Sequence, residues 1–499
     1  MSNPKVRLTR SAAPASALVL KVPPRRGIVH IGLGNFHRAH AAVHTAEAIA
    51  KSGGDWGIYA YSMRSAKNAK VLAAQDFLYT VVDIHPDSER TIIPGIHVGA
   101  SGGAKALDEV MNHLVDPNTR IISLTITESG YCYSTQTGGL DQTRTEIIHD
   151  IQELTTPQSV IGLLAKALLA RAQTHQAPVT IMSCDNLTSN GSTTRRVLRE
   201  FAARLDGENS QTLLAFIDTA VSFPNSMVDR IVPSTEERHR ALVEERLGIR
   251  DENPVPAEKF SMWVLEDDFI AGRPRWEEAG VLFSTEVDKF ETMKLRLLNG
   301  SHSLIAYLGA LAGKVSVPDA RFTPYIERAV RLFMKSEMAP TFTMPSAVNI
   351  DQYITDLFSR WSNTVLSDTI ARIGSDGSIK LPPRITQTSL WHGERNNPMH
   401  MTSLILASWL ACVSPPDGFD PGPIARAMKD PQSQYLASLS AGGASPTQIV
   451  ENLFSQGQIF SLELNALTAL KARTSGYLEQ ILREGVEATT LTAIAATSS

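Results

Sequence analysis

The chain has 499 residues, of which 43 % are hydrophobic and 20 % charged, and its formal net charge is −4. This length exceeds that of one typical domain, and the composition suits a globular protein with a sizeable core, so we expect two domains. The small net charge, without a basic block, argues against a nucleic-acid partner. The longest apolar stretches, such as Ser403–Val413, are too short to span a bilayer, which argues against a membrane protein.

Residues 1–26 contain several basic residues around an Ala/Pro-rich middle, without a continuous apolar core before a cleavage site. We therefore interpret this segment as a loose lead-in to the first strand rather than a signal peptide. The three cysteines, Cys132, Cys184 and Cys412, are odd in number and far apart. They predict a reducing, cytoplasmic setting rather than a disulfide framework.

Predicted strands and helices alternate up to about residue 285. The predicted strands are Gly27–Leu33, Gly57–Met63, Thr80–Asp83, Ile121–Thr127 and Val179–Ser183. The predicted helices are His37–Lys51, Ser65–Gln75 and Ser159–Gln173, the last of them amphipathic. This alternation predicts an α/β domain with a mainly parallel sheet and helices on both faces, over residues 27–287.

From Lys289 onward the patterns are helical, with few runs that are typical of strands. The predicted helices are Phe290–Leu311, Pro324–Lys335, Asn349–Trp361, Met399–Ala411 and Ser445–Leu470. We therefore expect a second, all-helical domain over residues 288–499.

A glycine turn follows the first predicted strand, in the sequence Ile31-Gly32-Leu33-Gly34-Asn35-Phe36-His37. Two glycines spaced by one residue allow a sharp turn and bring backbone N–H groups close to a pyrophosphate. The third glycine of the dinucleotide fingerprint is absent, because His37 holds its place. The alternative is an ordinary turn from a strand to a helix, since a bare G-x-G match is weak.

The second strand ends at Ser62-Met63-Arg64-Ser65, without the acidic residue that selects NAD by binding the ribose 2′-hydroxyl. Arg64 is placed to accommodate a 2′-phosphate, to stack on the adenine, or to lie in solvent. The sequence leaves both NAD and NADP open.

A chemistry-bearing cluster lies at the start of the predicted helical domain. At 100° per residue, Lys294, Asn299 and His302 fall within an arc of about 140°, which they share with leucines. A lysine in a desolvated site can act as the base in alcohol oxidation, and an asparagine amide can stabilise the oxyanion. The alternative is a surface helix from which Lys294 reaches into solvent.

Two other arrangements for alcohol dehydrogenation are absent from the sequence. None of the ten tyrosines is followed by a lysine four residues later, and three scattered cysteines do not have the spacing of zinc ligands. If the chain is a dehydrogenase, Lys294 is the best candidate for the base.

Several motifs together resemble those of the mannitol dehydrogenase family of polyol-specific long-chain dehydrogenases. They run in order from about residue 28 to residue 380, and they are the stretches 31–40, 125–128, 183–186 with Asn190-Gly191, 222–233, 263–267 and 293–302. The resemblance implies a Rossmann-type domain and a helical domain with the site between them. It also implies a metal-independent monomer or homodimer that uses NAD in many members.

The resemblance also implies roles for particular residues. Lys294 matches the general acid/base, and Asn190 and Asn299 match the oxyanion site. The residues that match substrate contacts or proton exchange are His302, Arg372, Lys380 and Glu291. The residues that match the cofactor region are Gly32, Gly34, Asn35, Phe36, Arg38, Glu128 and Asp229, and Arg64 at the end of the second strand is a further candidate for a cofactor contact.

The substrate class stays open between a neutral C5–C6 polyol, which we favour, and an aldonate. The stretch Asp376–Pro382 is similar to that of fructuronate reductases (D-mannonate oxidoreductases), whereas Arg372 is similar to the mannitol enzymes. Ser129 stands where many fructuronate reductases have a lysine, which removes a positive charge. A nucleotide-binding regulatory protein without catalysis is a further hypothesis, against which the complete set of candidate catalytic residues argues.

Overall fold

A computed structural model describes residues 6–14, 22–85, 88, 90–134, 137–365 and 368–498. The chain divides into two compact units, Met1–Val287 and Asp288–Ser499. Among the residues described, no helix combines the length and the apolar character that a bilayer crossing requires.

The first unit is built on a six-stranded sheet in which all neighbouring strands are parallel. In chain order its strands are β1 (Arg26–Ile31), β2 (Gly57–Ser62), β3 (His97–Gly102), β4 (Ile121–Leu124), β5 (Val179–Ser183) and β6 (Val221–Ser222). Their order across the sheet is 3-2-1-4-5-6, which is that of the doubly wound Rossmann fold. The order reverses between β1 and β4, and ligands bind at this point, beyond the carboxyl ends of the strands.

Both faces of the sheet are buried, which explains why its strands read as nearly continuous apolar runs. Val29 and Ile31 of β1 pack into one hydrophobic cluster, whereas Ile28 packs into another on the opposite face. The helices of this unit are Asn35–Ala39, Ala41–Ser52, Lys67–Ala73, Leu107–Val115, Thr145–Gln152, Val160–Thr174, Asn190–Ala202, Gly207–Ala220 and Glu237–Leu247.

The described residues of the first unit also form three smaller sheets. One contains Ser226–Asp229, Met262–Leu265 and Leu282–Phe283; another Val255–Ala257, Val81–Asp83 and Thr91–Ile92; the third Tyr133–Ser134 and Gly139–Leu140. Short 3-10 turns occupy Ala104–Ala106, Glu128–Tyr131 and Trp276–Ala279.

Apart from the exact ends of some elements, such as the strand predicted at 121–127 that ends at Leu124, four details of the first unit differ from the sequence predictions. The predicted helix 37–51 is two helices, because the backbone at His40 leaves the helical region (φ −117°, ψ −92°). The predicted strand at 80–83 belongs to a small sheet rather than the main one. The helix Val160–Thr174 is buried nearly all round instead of being amphipathic, since the sheet and other helices enclose it. The lead-in is not loose where it is described, because Leu8 is fully buried against Leu78 and its neighbours.

The described residues of the second unit form helices and loops without a strand. Its first α-helix, Val287–Met293, begins at the last residue of the first unit. The other α-helices are Gly300–Leu311, Val317–Arg321, Pro324–Leu332, Ile350–Trp361, Ile370–Gly374, Gly377–Glu394, His400–Val413, Gly422–Arg426, Ser433–Leu439, Pro446–Ser455, Leu462–Asn465, Thr468–Glu484 and Val486–Ser498. A 3-10 turn covers Ala339–Thr341, and π-helical segments cover Lys294–Asn299 and Phe333–Met338.

The prediction of one helix over 445–470 is wrong, because that stretch contains two complete helices and the beginning of a third. Gly457 adopts a φ of +64° and ends the first of them, and Leu467 precedes the third outside helical geometry (φ −81°, ψ 74°). The hydrophobic spacing continued across these breaks because all three helices bury one face.

Candidate active site

The glycine turn lies directly beyond the end of β1, at the point where the strand order reverses. Gly32 has a φ of +110°, and a Cβ there would lie 2.0 Å from the carbonyl oxygen of Thr125 on the chain after β4. Only glycine therefore permits this close approach. Gly34 is exposed, and a Cβ built on it would have only the carbonyl oxygen of Gly32 within 4.0 Å, so its backbone is open to a ligand.

The missing third glycine has a structural replacement. The ring of His37 stacks on that of His30 in β1, with centroids 3.3 Å apart and planes within 9°. His37 Nε2 also lies 3.1 Å from His97 Nε2. In the usual fingerprint the third glycine lets helix and strand pack closely. Here two flat, buried imidazoles make the contact between helix and strand.

A cavity of about 450 Å³ opens at the ends of β1, β2 and β4. The residues that line it from the glycine turn and the end of β2 are Ile31, Gly32, Leu33, Gly34, Ser62, Met63, Arg64, Ser65, Lys67 and Asn68. Those that line it from the opposite side include Thr125, Ile126, Thr127, Ser129, Arg144 and Glu146. An open glycine backbone in a cleft at the switch point of a doubly wound sheet fits a dinucleotide.

Three residues of the predicted cofactor set brace the turn. The amide of Asn35 donates to the carbonyl oxygen of Pro233 at 3.1 Å, and its Oδ1 accepts from Arg38 at 2.7 Å. The guanidinium of Arg38 is fully buried and also donates to the carbonyl oxygen of Asn253 at 2.7 Å. The Phe36 ring stacks on that of His40, with centroids 4.9 Å apart. Phe36 and Arg38 therefore hold the start of the helix in place.

Asp185, in the loop after β5, joins two of the recognised motifs. Its carboxylate accepts from the backbone N–H groups of Ile126 at 2.8 Å and Thr127 at 3.2 Å, and from the Tyr131 hydroxyl at 2.7 Å. Burial raises the pKa of Asp185, and the donated hydrogen bonds oppose that shift. Thr127 has a φ of +67°, a conformation that costs free energy in a β-branched residue and is found at functional sites.

Asn190 is buried at the start of its helix, with both ends of its amide engaged. Its Nδ2 donates to the carbonyl oxygens of Asp185 and Ser226 at 3.0 and 2.9 Å, and its Oδ1 accepts from the Ser226 N–H at 2.9 Å. Donation from Asn190 to a substrate oxygen would therefore replace one of these bonds. Asp229 is buried at the end of the strand Ser226–Asp229, and Glu128 is exposed at the start of its 3-10 turn.

In the second unit, Lys294 and Asn299 are the first and last residues of a π-helical segment. Both side chains are half-buried. The arc computed at 100° per residue does not apply here, because π-helical hydrogen bonds join residues five apart. Residues 294 and 299 therefore lie about one turn apart on the same face, closer than the α-helical arithmetic placed them. Gly300 follows, and a Cβ there would lie 3.2 Å from the ring of Phe333.

His302 is half-buried and is held by a residue that the sequence analysis missed. The indole Nε1–H of the buried Trp361 donates to His302 Nε2 at 2.8 Å, and the two rings are 5.5 Å apart. Because Nε2 accepts, the neutral imidazole carries its proton on Nδ1. Nothing in the local sequence around Trp361 signals this contact, since 59 residues separate the two side chains.

Arg372 and Lys380, the two cationic residues that are predicted to contact the substrate, each interact with other residues of the protein. Arg372 is exposed and pairs with Asp368. Lys380 donates to the carbonyl oxygen of Ser375 at 2.7 Å and lies 3.6 Å from the carboxylate of Asp376. Burial, followed by the charge of a neighbouring arginine, lowers the pKa of Lys380. Glu291 is half-buried on the helix that precedes the π segment.

That neighbouring arginine, Arg384, is a second residue that the sequence analysis missed. It follows Lys380 by one helical turn, and its Nη1 donates to the hydroxyl of Ser303 at 2.8 Å. Ser303 is adjacent to His302, so a guanidinium lies beside the segment that carries the candidate catalytic residues. The sequence signal that could have identified Arg384 was its position four residues after Lys380, because residues four apart are neighbours on the surface of a helix.

Among the residues that the structure describes, no group of three or more His, Cys, Asp or Glu side chains is arranged to hold a metal ion. The three cysteines are unpaired and buried.

Comparison with known proteins assigns the class. Residues 26–278 match the family model of the mannitol dehydrogenase Rossmann domain, and residues 286–482 match that of the mannitol dehydrogenase C-terminal domain. The chain belongs to the mannitol dehydrogenase family and is an oxidoreductase.

Individual relatives are similar over most of their length. An uncharacterized oxidoreductase of Escherichia coli, YeiQ, is 38 % identical over 88 % of each chain. The D-mannonate oxidoreductase of Escherichia coli is 36 % identical over 77 % of this chain and 79 % of its own. The structure of Pseudomonas fluorescens mannitol 2-dehydrogenase, a ternary complex with NAD and D-mannitol, is 32 % identical with a TM-score of 0.82, covering 99 % of this chain and 97 % of its own.

Proposed function

We propose that this chain is a metal-independent, NAD(P)-dependent dehydrogenase that interconverts a secondary alcohol of a C5–C6 polyol and the matching ketose. Two features support the cofactor: the open glycine turn at the switch point of the sheet, and the similarity to a mannitol 2-dehydrogenase that was solved with NAD and D-mannitol.

The observation that carries the proposal is the π-helical segment Lys294–Asn299. It begins at the proposed base and ends at a proposed oxyanion donor. Single π-helical turns within α-helices are rare and occur frequently at functional sites. Here the π turn presents an amine and an amide on one face, as deprotonation of a hydroxyl and stabilisation of the resulting oxygen require.

The proposed mechanism divides the work among a few side chains. Lys294 removes the proton of the reacting hydroxyl, and the amides of Asn299 and Asn190 donate hydrogen bonds to the developing oxyanion. His302, with its proton on Nδ1, donates to a neighbouring hydroxyl of the substrate and orients it. A dinucleotide held at the glycine turn Gly32–Gly34 would supply the acceptor for the hydride that leaves the carbinol carbon.

Replacement of the base tests the proposal. We expect Lys294→Ala to lower kcat by about 10²–10⁴-fold, the usual worth of a general acid–base step. The dissociation constants of NADH and NADPH, measured by fluorescence titration, should stay within about twofold of those of the unchanged chain. A change of that size is too small to reflect a lost contact. Lys335→Ala, which removes a surface lysine paired with Asp351, is the matched control and should retain activity. Near-normal turnover by Lys294→Ala would refute the assignment.

The two candidate substrate classes differ in one end group, which is a hydroxyl in a polyol and a carboxylate in an aldonate. A neutral polyol is supported by the ion pairs of the two predicted cationic residues. Arg372 pairs with Asp368 and Lys380 lies near Asp376, so both cations already have a carboxylate partner within the protein. An aldonate is the second candidate, because the half-buried guanidinium of Arg384 lies beside the segment that carries His302. Initial rates for D-mannitol and D-mannonate oxidation, and for fructose and fructuronate reduction, distinguish them. A preference for the acids above tenfold would favour the aldonate.

A further inference from the structure

We propose that the cavity at the end of β2 binds the 2′-phosphate of an adenosine, so that the chain binds NADP(H) more tightly than NAD(H). The residues assigned to this phosphate are Lys67 and Arg64. The inference rests on the proposed function for the presence of a dinucleotide, and adds which of the two dinucleotides the site selects.

The position of these residues follows from the register of the sheet. The N–H of Gly32 donates to the carbonyl oxygen of Tyr61 at 2.8 Å, so the glycine turn and the end of β2 are side by side. Neighbouring strands lie about 4.8 Å apart. In this fold the pyrophosphate lies on the glycine turn and the adenosine ribose reaches the end of the second strand. Residues 62–68 therefore surround the place of the ribose 2′-oxygen.

The charges around this place suit a phosphate rather than a hydroxyl. Arg64 and Lys67 line the cavity and are exposed, and within the described part of the chain neither side chain forms a hydrogen bond or an ion pair. Among the described residues that line the cavity, Glu146 is the one carboxylate, and it accepts from Arg144 Nε at 2.8 Å. A site that selects NAD places an acidic residue against the 2′-hydroxyl, whereas here two cations stand at that end.

The segment that carries the two cations is fixed on both sides. The N–H of Gly103 donates to the carbonyl oxygen of Ser62 at 2.9 Å, and a Cβ on Gly102 would lie 2.6 Å from the carbonyl oxygen of Ser65. Asn68 Nδ2 donates to the carbonyl oxygen of Leu33 within the glycine turn at 2.9 Å. The segment is thus held against both β3 and the turn, which reduces the entropy lost when its side chains bind a phosphate.

The alternative role of Arg64 is to stack on the adenine ring, a contact that NADH and NADPH would both make. A stacking contact lowers the affinities for NADH and NADPH equally when it is removed. A phosphate contact lowers the affinity for NADPH alone. The ratio of the two dissociation constants therefore reports the phosphate contact.

The test is fluorescence titration of the full chain with NADH and with NADPH, with calorimetric binding of adenosine 2′,5′-bisphosphate and 5′-AMP as fragments. We expect NADPH to bind more tightly than NADH, and the bisphosphate more tightly than 5′-AMP. Lys67→Ala should weaken NADPH binding by about tenfold, as the loss of one charge-assisted hydrogen bond predicts, and leave NADH binding unchanged. Lys67→Glu should reverse the preference.

Lys70→Ala is the matched control, because Lys70 is exposed on the same helix but does not line the cavity. Tighter binding of NADH than of NADPH, or a Lys67→Glu variant with an unaltered ratio, would overturn this inference and leave the proposed function standing. Binding of neither dinucleotide would overturn both.

Discussion

A single hydrogen bond defines the tautomer of His302 at the candidate site. His302 accepts from Trp361 through Nε2, which assigns its proton to Nδ1. The contact persists because Trp361 is itself buried and packs edge-on against Phe358, with ring centroids 5.2 Å apart. Trp361 is therefore a positioning residue in the proposed mechanism, acting on the substrate through His302.

Removal of this hydrogen bond should affect substrate binding more than cofactor binding. We expect Trp361→Phe, which retains a ring and loses the N–H donor, to raise KM for the polyol by about tenfold, since a mispositioned imidazole forfeits one hydrogen bond to substrate. The dissociation constant of NADPH should not change. Trp391→Phe, at a half-buried indole stacked against Arg395, is the control. An unchanged KM in Trp361→Phe would show that the contact has no part in positioning.

The helices of the second unit depend on buried polar links between elements. Glu337, in the second π segment, is fully buried and accepts from the N–H groups of Met401 and Thr402 at 2.6 and 2.8 Å, and from the Thr402 hydroxyl at 2.6 Å. Burial raises its pKa, and the three donated bonds act in the opposite direction. The carboxylate caps the start of the helix His400–Val413, whose first N–H groups lack partners within the helix.

Loss of this cap should destabilise the second unit. We expect Glu337→Ala to lower the free energy of unfolding by about 3 kcal/mol, because three buried donors lose their acceptor, and Glu337→Gln to lower it by less. Urea denaturation followed by circular dichroism measures the change. Glu451→Ala, at an exposed carboxylate paired with Lys471, is the control and should change stability by less than about 1 kcal/mol. Equal effects at positions 337 and 451 would contradict the assigned role.

At the scale of the whole molecule, buried histidines make stability depend on pH. Burial is the largest cause that lowers the pKa of His30 and His97 to about 3 and that of His44 to about 4, and it holds that of His37 well below its ordinary value. In the unfolded chain these histidines titrate near 6.5. Between pH 6.5 and about 4 the unfolded state therefore binds more protons than the folded state, and stability falls as the pH falls.

We expect the melting temperature to be nearly constant above pH 7 and to decrease from pH 6.5 downward, with a cost of about 1 kcal/mol for each such histidine at pH 5.5. Thermal denaturation at pH 7.5, 6.5 and 5.5 measures this dependence. His44→Gln should show a shallower decline than the unchanged chain, whereas His175→Gln, at an exposed position, should follow it. A melting temperature independent of pH over this range would contradict the prediction.

The sequence by itself determined the parts of the fold that rest on local periodicity. β5 was predicted at its observed bounds, and β1 and β2 within two residues at each end, because their apolar runs are buried on both faces. The mainly parallel sheet and the helical character of the C-terminal region were also correct, because both follow from the local hydrophobic patterns, whereas the Rossmann type of the sheet was implied by the family resemblance. The glycine turn was recognisable because a φ of +110° beside the Thr125 carbonyl admits no other residue without strain.

Only the tertiary structure decided the contacts that join distant segments. β3, β6 and the strands of the small sheets other than Val81–Asp83 were missed because pairing with remote strands stabilises them, and the stacked rings of His30 and His37 were unforeseen for the same reason. The sequence analysis placed Lys294 and Asn299 by α-helical geometry, whereas the structure has a π-helical turn between them. Packing rather than local propensity selects such a turn, so the sequence did not predict it. A catalytic site depends on the approach of particular atoms from distant segments, which tertiary contacts bring about and chain periodicity does not encode.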